Sequence, residues 1–456
     1  MGDRTIQLPE KVGRIIGTLQ EHGYEAYAVG GCIRDSILGR EPEDWDITTS
    51  AMPEETKALF DKTFDTGIQH GTITVLLEKE GFEVTTYRID GKYEDSRHPK
   101  EVTFTRNLRE DLLRRDFTIN AMALNLRGEL RDPFCGQSDL AAGVLRCVGE
   151  PERRFEEDAL RILRGMRFAS VLGLRVEEAT AMGIHRCAPL LAQIAPERIA
   201  KELMGLLVGA RADAVLREYP NVIGVFWPEI LPMVGFDQRN RHHCYDVWEH
   251  TLHALSYTPP DPVVRCVMLL HDIGKPKTFT LDAEGHGHFR GHPLVSRDLS
   301  EEMLRRLKCS NAFCQIVTRL VEWHDRGICQ DERTLRRALY SLGEQDLRRL
   351  LVIKRADNLA QSPAFRQRQA ELDWAEKELA RLLDEQACMS LRDLAVNGKD
   401  LTDMGLRGPE IGAMLETLLE RVVDGELPND SAVLLDTARQ LRAYALARKD
   451  QVLGGK

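Results

Sequence analysis

The feature that most limits how this chain can fold is a change of hydrophobic period near Asp132. Before it, short runs such as Ala26 to Val29, Gly71 to Leu77, Phe82 to Tyr87 and Glu101 to Thr105 read as strands separated by Gly-rich turns. After it, from Arg153 to about Leu207, apolar residues recur at threes and fours, as in FEEDALRILRGMRFASVLGL. The same spacing returns at Val247 to Ser256, Val263 to Leu270, Ser300 to Leu307, Arg333 to Leu342 and Ala370 to Leu383. Strands first and helices afterwards predict an α+β protein, with a mixed-sheet head followed by an elongated all-α body. Pro220, Pro228 and Pro232 interrupt the helical period between Asp213 and Arg241, and a second break falls between Gln386 and Lys399. The expected segments are therefore residues 1–140, 141–215, 216–385 and 386–456.

Composition narrows the class. Of 456 residues, 43% are hydrophobic and 29% charged, enough apolar material for sizeable cores and unlike a disordered polymer. No apolar run approaches the ~18 residues of a membrane span, and the N-terminus lacks the apolar segment of a signal peptide, so a cytoplasmic protein without membrane contact is expected. Ten cysteines show no CxxC spacing and read as reduced, mostly buried thiols. The charge of −10 argues against attraction of the whole protein to nucleic acid, which leaves local patches to decide. One such patch is Arg333 to Arg368, with nine basic residues against three acidic ones, either a solvated helical face or an RNA contact.

The first chemical signal is VGGCIRDSILGREPEDWD, residues 29 to 46. Two glycines after a short strand let backbone approach a ligand closely, and the helix that can start at CIRDSILG turns free N–H groups toward an anion such as a triphosphate. Asp44 and Asp46, two apart in an extended strand, point to one face while Trp45 points to the other. Converging carboxylates repel unless a cation neutralises them, and Mg²⁺ is typically held by one or two carboxylates together with substrate phosphates. A two-metal arrangement of that kind suits nucleotidyl transfer.

GGxxRDxxLG followed by DxD at this spacing, then RRDFTINAMA (Arg114 to Ala123), EDALRILRGMRF (Glu157 to Phe168) and PERIAKEL (Pro196 to Leu203), resembles the class II tRNA nucleotidyltransferases, the family of CCA-adding enzymes and poly(A) polymerases. The resemblance implies a nucleotidyltransferase head and template-independent addition of CCA to the 3′ end of tRNA from CTP and ATP. It assigns Gly31, Arg34 and Arg115 to the nucleotide, and Asp44 and Asp46 to catalytic Mg²⁺. Glu83 on FEVTTY is a candidate third carboxylate. Asp158, Arg161, Arg164 and Arg167 recur every three residues along one expected helix, and the resemblance gives them the incoming base. A carboxylate accepts from the exocyclic amino group of C or A, and Arg donates to ring acceptors. GKYEDSRHP, between Asp90 and Pro99, is a polar loop that the resemblance links to completion with A; a plain connector reads the same way. The nearest rival is a poly(A) polymerase or an A-only enzyme, since one head serves all of them.

A second constellation lies in the body: His250, His271 with Asp272, His292, His324 and Asp357. It resembles the HD superfamily of metal-dependent phosphohydrolases. That likeness implies one ion on His250, His271, Asp272 and Asp357, with His292 and His324 for a second, and Lys275 near a phosphate. Imidazole and carboxylate ligands suit Mn, Fe, Ni, Co or Mg alike. A reading from another class follows, a phosphohydrolase whose head only binds nucleotide. His242, His243, His253, His286 and His288 are extra histidines with no assigned part. The Gly-punctuated tail, Leu394 to Val423, resembles the C-terminal region of CCA-adding enzymes with an HD domain and is expected to hold the tRNA elbow. Oligomeric state is not legible.

Overall fold

The computed structural model describes residues 6–90, 102–329 and 331–453. These divide into two compact units: one of residues 1–235, 259–266 and 301–311, the other of 236–258, 267–300 and 312–456.

The first unit opens with α1 (Glu10–Glu21), whose Val12, Ile15, Ile16 and Leu19 form the apolar stripe that a half-buried helix needs. It then builds a seven-stranded sheet from β1 (Ala26–Val29), β2 (Ile47–Thr49), β3 (Thr63–Gly67), β4 (Thr72–Leu77), β5 (Glu80–Thr86) and two short late strands. Helix α2 (Gly31–Ile37) follows β1, and α3 (Pro53–Leu59) follows β2. A separate ribbon pairs β6 (Arg88–Asp90) with β7 (Val102–Phe104), and then come α4 (Leu108–Leu113), β8 (Ala123–Leu124) and β9 (Leu130–Arg131). The sheet order is β3-β4-β5-β2-β1-β8-β9. Only β2 and β5 run parallel, so the sheet is mixed as the sequence predicts.

β4 and β5 turn on two residues, Glu78 and Lys79, both left-handed at φ 51° and 74°, so that Leu77 faces Glu80. Neither is the glycine that such a bend favours. Lys11 of α1 reaches Glu80 at 2.8 Å and Arg14 reaches Glu78 at 2.8 Å, which fastens the bend to the helix.

After α5 (Gly136–Ala142) the unit is helical: α6 (Pro151–Glu157), α7 (Leu160–Leu172), α8 (Glu178–Cys187) and α9 (Pro196–Leu207). Gly183 on α8 lies against α6, where an added Cβ would stand 2.8 Å from Pro151 and 3.2 Å from Phe155, so this helix pair closes only on glycine. The second unit is almost wholly helical. Its principal helices are Val247–Ser256, Glu332–Ala360 and Arg368–Asp384, the second kinked at Gly343, where φ is 74° and ψ is 168°, together with the part of His292–Arg306 up to Ser300 and the part of Asn311–Trp323 from Ala312. Its C-terminal end packs Leu394, Val396, Leu401, Leu418, Leu419 and Leu434 into a small core of its own. No helix among the described residues is long and apolar enough to cross a membrane. Six of the ten cysteines are buried, and none forms a disulfide.

Candidate active site

Asp44 and Asp46 precede β2, which begins only at Ile47, so the carboxylates stand on its extended approach rather than within the expected strand. The backbone is nonetheless held to the sheet, since Val29 N–H donates to the Asp46 carbonyl at 2.9 Å. Parallel register sets Ile47 opposite Val84, which puts Glu83 beside Asp46 one step earlier. The three acids feel one another: burial, then Asp46 and Asp44, raise the Glu83 carboxyl. Burial and Asp44 also raise Asp46 against the pull of the Arg115 guanidinium. Three carboxyls beside the central β2–β5 pair, two of them held above their ordinary range, make a centre that a divalent cation would relieve. The trio is an open one. Among the described residues, the groups whose ligand atoms all lie within 4.8 Å are in the second unit.

Gly30 caps α2 with φ 87° and ψ −130°, a conformation that L side chains rarely adopt, and a Cβ there would stand 3.0 Å from Arg115 Nη1. Gly31 begins the helix, 3.6 Å from Arg34 Nη2 by the same measure. The Gly-Gly turn and Arg115 therefore meet beside Asp46. Arg115 is pulled down by burial, which the nearby Asp111, 3.8 Å away, only partly offsets. Arg34 donates to Asn120 Oδ1 at 2.8 Å and to both oxygens of Asp35, and its guanidinium lies 5.1 Å from the Phe168 ring.

The expected single helix through EDALRILRGMRF is two. α6 ends at Glu157, Asp158 takes an extended conformation (φ −142°, ψ 102°), and α7 restarts at Leu160. Asp158 therefore leaves the ridge of arginines and becomes a junction residue, accepting from Leu160 N–H at 3.1 Å and from Arg198 at 3.2 Å. Arg161 is buried; it donates to Glu157 at 2.9 Å and to the carbonyls of Arg154 and Arg114 at 3.1 and 3.0 Å. Arg164 forks onto one oxygen of Asp116 at 2.9 and 2.7 Å, and Arg167 donates to Glu202 at 2.6 Å. Both guanidinia also face Phe168, at 5.5 and 4.4 Å. Asp116 is buried, yet Arg164, Asn120 and Arg161 outweigh that burial and hold its carboxyl down at about 2.

Sequence reasoning gave no part to Asp116, Asn120, Phe168 and Glu202, which hold the arginines, or to Arg198, which holds Asp158. All five lie inside the motif strings already singled out, so the signal was their position and not their type. The polar loop GKYEDSRHP lies outside the described residues.

The second unit gathers all six of its expected residues. His250 Nε2 is 2.8 Å from Asp357 Oδ1 and 3.7 Å from Asp272 Oδ2; His271 Nε2 is 3.2 Å from Asp272 Oδ2 and 3.7 Å from Asp357 Oδ1. On the other oxygen of Asp272 stand His292 Nε2 at 3.3 Å and His324 Nε2 at 3.8 Å, the two nitrogens 3.2 Å apart. Helix termini and backbone aim these rings. Nδ1 of His271, His292 and His324 lies 2.7, 2.9 and 2.6 Å from the carbonyls of Met268, Phe289 and Val321. A carbonyl can only accept, so each Nδ1 carries the hydrogen and each Nε2 faces the carboxylates, as a lone pair whenever the ring is neutral. Lone pairs facing carboxylate oxygens require a proton or a metal between them.

Charges in this centre are extreme. Burial opposes ionisation of Asp272, but His271 and Lys275 outweigh it and hold the carboxyl well below its usual range; His250 and His271 do the same for Asp357. Burial would depress His271, yet Asp272 and Asp357 hold it up at about 10, while burial and His271 push His324 down to about 3. Lys275 is buried on Asp272 at 2.7 Å and on Gln238 at 2.9 Å. Of the extra histidines, His243 stands nearest, its ring 4.7 Å from that of His250. Asp282, Glu284 and His286 form a separate cluster on the surface.

The basic stretch Arg333 to Arg368 is largely consumed within the protein. Arg333 and Arg337 meet Asp424, Arg336 meets Glu332, Arg348 meets Glu344, Arg349 meets Asp346, and Arg355 meets Asp373 and Glu376. Lys354 donates to the His324 and Arg326 carbonyls, both at 2.6 Å.

A mixed sheet with acids beside its central β2–β5 pair, followed by an arginine-bearing helical segment, defines a nucleotidyltransferase of the poly(A) polymerase type. Residues 26–146 match the poly A polymerase head domain, 173–219 the RNA and SrmB binding site of polymerase A, and 294–438 the tRNA nucleotidyltransferase domain 2. The chain is 36% identical to the CCA-adding enzyme of Lactiplantibacillus plantarum over 94% of its own length and 95% of the relative's, and 34% identical to that of Enterococcus faecalis over the same shares. It superposes on the crystal structure of the Bacillus stearothermophilus CCA-adding enzyme in complex with CTP with a TM-score of 0.71 and 31% identity, covering 95% of this chain and 98% of the other. The chain belongs to the CCA-adding enzyme family.

Proposed function

We propose that this chain is a cytoplasmic enzyme that adds CCA to the 3′ end of tRNA from CTP and ATP without a template, releasing pyrophosphate. The observation that carries this reading is likeness over almost the whole chain to enzymes named for CCA addition, one of them solved with CTP. In this reading residues 1–140 are the catalytic head, 141–215 the segment that reads the base, 216–385 an HD domain and 386–456 a tail for tRNA. Asp44 and Asp46, with Glu83 as a third acid, hold Mg²⁺, which supplies charge neutralisation at the phosphates and a more acidic 3′-hydroxyl. The chain's own part is positional: Gly31 and Arg34 receive the phosphates, and Arg115 adds positive charge beside Asp46. Asp158, Arg164 and Arg167 offer acceptor and donors to an amino-bearing base. Arg161 joins them only by exchanging one of its present backbone contacts. Incubation with tRNA lacking CCA and each NTP in turn tests this: C is added from CTP alone and A only after CC. Incorporation of ATP without CTP instead assigns an A-only or poly(A) activity.

The buried histidines favour a second activity in the same chain. As an HD-type centre, His250, His271, Asp272 and Asp357 hold one ion, of Mn, Ni, Co, Fe or Mg, and His292 and His324 a second. Four imidazole Nε2 atoms and two ionised carboxylates, gathered in one buried centre, fit such ions. A bound ion supplies an activated water for phosphate-ester hydrolysis. Elemental analysis of the protein as isolated, beside His271→Ala, tests the centre; equal metal content in the two refutes it.

A further inference from the structure

Apart from the acidic centre, the head carries a cavity of about 640 Å³ whose lining includes Arg106, Arg109, Arg131, Tyr27, Glu25 and Asp132. Its volume falls within the range of ligand sites. Its three arginines come from separate places: Arg106 from the segment before α4, Arg109 from the first turn of α4, and Arg131 from the edge strand β9. They are poorly paired. Arg106 is 3.9 Å from Glu55 and Arg131 is 3.6 Å from Glu129, both long contacts on exposed side chains. Arg109 lies over the Phe134 ring at 5.5 Å, with no carboxylate in ion-pair reach among the described residues. The acids of the cavity are occupied. Asp132 caps α5 through Gly136 N–H at 2.7 Å and Gln137 N–H at 2.9 Å, and the charge of Glu25 acts on the buried Tyr87 hydroxyl. In a chain of net charge −10, three guanidinia lining one cavity, whose ion pairs among the described residues are long ones, mark an anion's place.

The elements around the cavity fix its relation to the chemistry. β1 carries Tyr27 at the cavity and ends one residue before Gly30 of the nucleotide turn, and α4 starts beside the cavity with Arg109 in its first turn and ends two residues before Arg115. At ~3.3 Å per strand residue and ~1.5 Å per helix residue, the two places are about 10 Å apart. That is the reach of a few nucleotides of an RNA strand whose 3′ end lies at the acids. We infer that this cavity, with Arg106, Arg109 and Arg131, receives backbone phosphates of the RNA strand that the head extends, a few nucleotides upstream of the growing end. The inference rests on the polymerising reading of the head and adds to it a contact for the acceptor strand.

The test is equilibrium binding of tRNA lacking CCA to the full-length protein across a salt series, for wild type and for Arg106→Glu/Arg109→Glu/Arg131→Glu. All three side chains are exposed, and Arg106→Gln/Arg109→Gln/Arg131→Gln serves as a second variant free of introduced acids. The expected result is a loss of tRNA affinity of about tenfold or more, and a salt slope shallower by about two to three. KM for CTP should be unchanged in the Gln variant. Unchanged affinity and slope in both variants overturn the inference. Failure of the parent reading shows elsewhere: wild type that binds tRNA but incorporates no CTP refutes the polymerase and leaves the binding result to judge the cavity.

Discussion

Asp116 offers the sharpest quantitative check on how the arginines are held. It is buried, accepts twice from Arg164, and also accepts from Asn120 at 3.2 Å and from Phe117 N–H at 2.8 Å. A carboxyl lowered from its ordinary 3.8 to about 2 corresponds to about 2 kcal/mol of folding stability at neutral pH. Asp116→Asn keeps the shape and removes the charge, leaving Arg164 without its counter-ion. Breaking a buried pair costs about 3–5 kcal/mol, but the Arg164 side chain is 36% exposed and recovers part of that from water. The expected loss is therefore about 2–3 kcal/mol, read from urea unfolding followed by circular dichroism. Because the folded pKa lies below the unfolded one, this contribution is complete above about pH 4 and vanishes as pH falls through about 2. Wild type and variant should converge on acidification. Nucleotide choice should suffer too, since Arg164 would swing free: the preference for CTP over UTP should drop at least tenfold. A variant within about 0.5 kcal/mol of wild type at pH 7, with its CTP preference intact, would refute this account of Asp116.

Other consequences are separable. Asp46→Asn should cut CTP incorporation about a thousandfold or more while leaving metal content unchanged in the buried histidine centre, measured by nucleotide addition and elemental analysis. Because burial and Asp44 raise Asp46, the acid limb of the incorporation rate should fall at a pH above the ordinary aspartate range, and Asp44→Asn should move that limb downward. Gly30→Ala forces φ 87° on a Cβ that meets Arg115, and should cost about 1–3 kcal/mol and raise KM for CTP. His292→Ala/His324→Ala should lower bound metal by one ion per chain while His250→Ala lowers it by the other, read by elemental analysis of dialysed protein.

What the sequence disclosed, and where it stopped, follows from the range of each signal. The Gly-Gly turn, the paired aspartates and the histidine series are local strings of chemically distinctive residues, and their spacing sufficed to single them out. Glu83 was legible only as a candidate third carboxylate on a strand, because its nearness to Asp46 is reached through sheet register and not through chain distance. The break at Asp158 escaped because apolar periodicity runs straight through it; Phe155, Ile162 and Met166 are buried on either side while the backbone leaves the helix between them. The basic run near Arg333 looks more positive in the sequence than in the fold for a related reason. Its counter-charges, Asp424 and Glu376 among them, lie outside the stretch whose charge was counted.

The two-residue bend at Glu78 and Lys79 acts as a gauge for the whole head. Glu83 is the fourth residue of β5, and side chains there alternate between faces. One residue more or fewer in the bend would send that carboxylate through the sheet and present Phe82 or Val84 to the acidic centre instead. An Asn-Gly pair in its place would relieve the left-handed backbone and give up the exposed Arg14–Glu78 ion pair, a surface contact worth little. The composition of this remote hairpin is free to drift, then, while its length is tied to catalysis some four residues away.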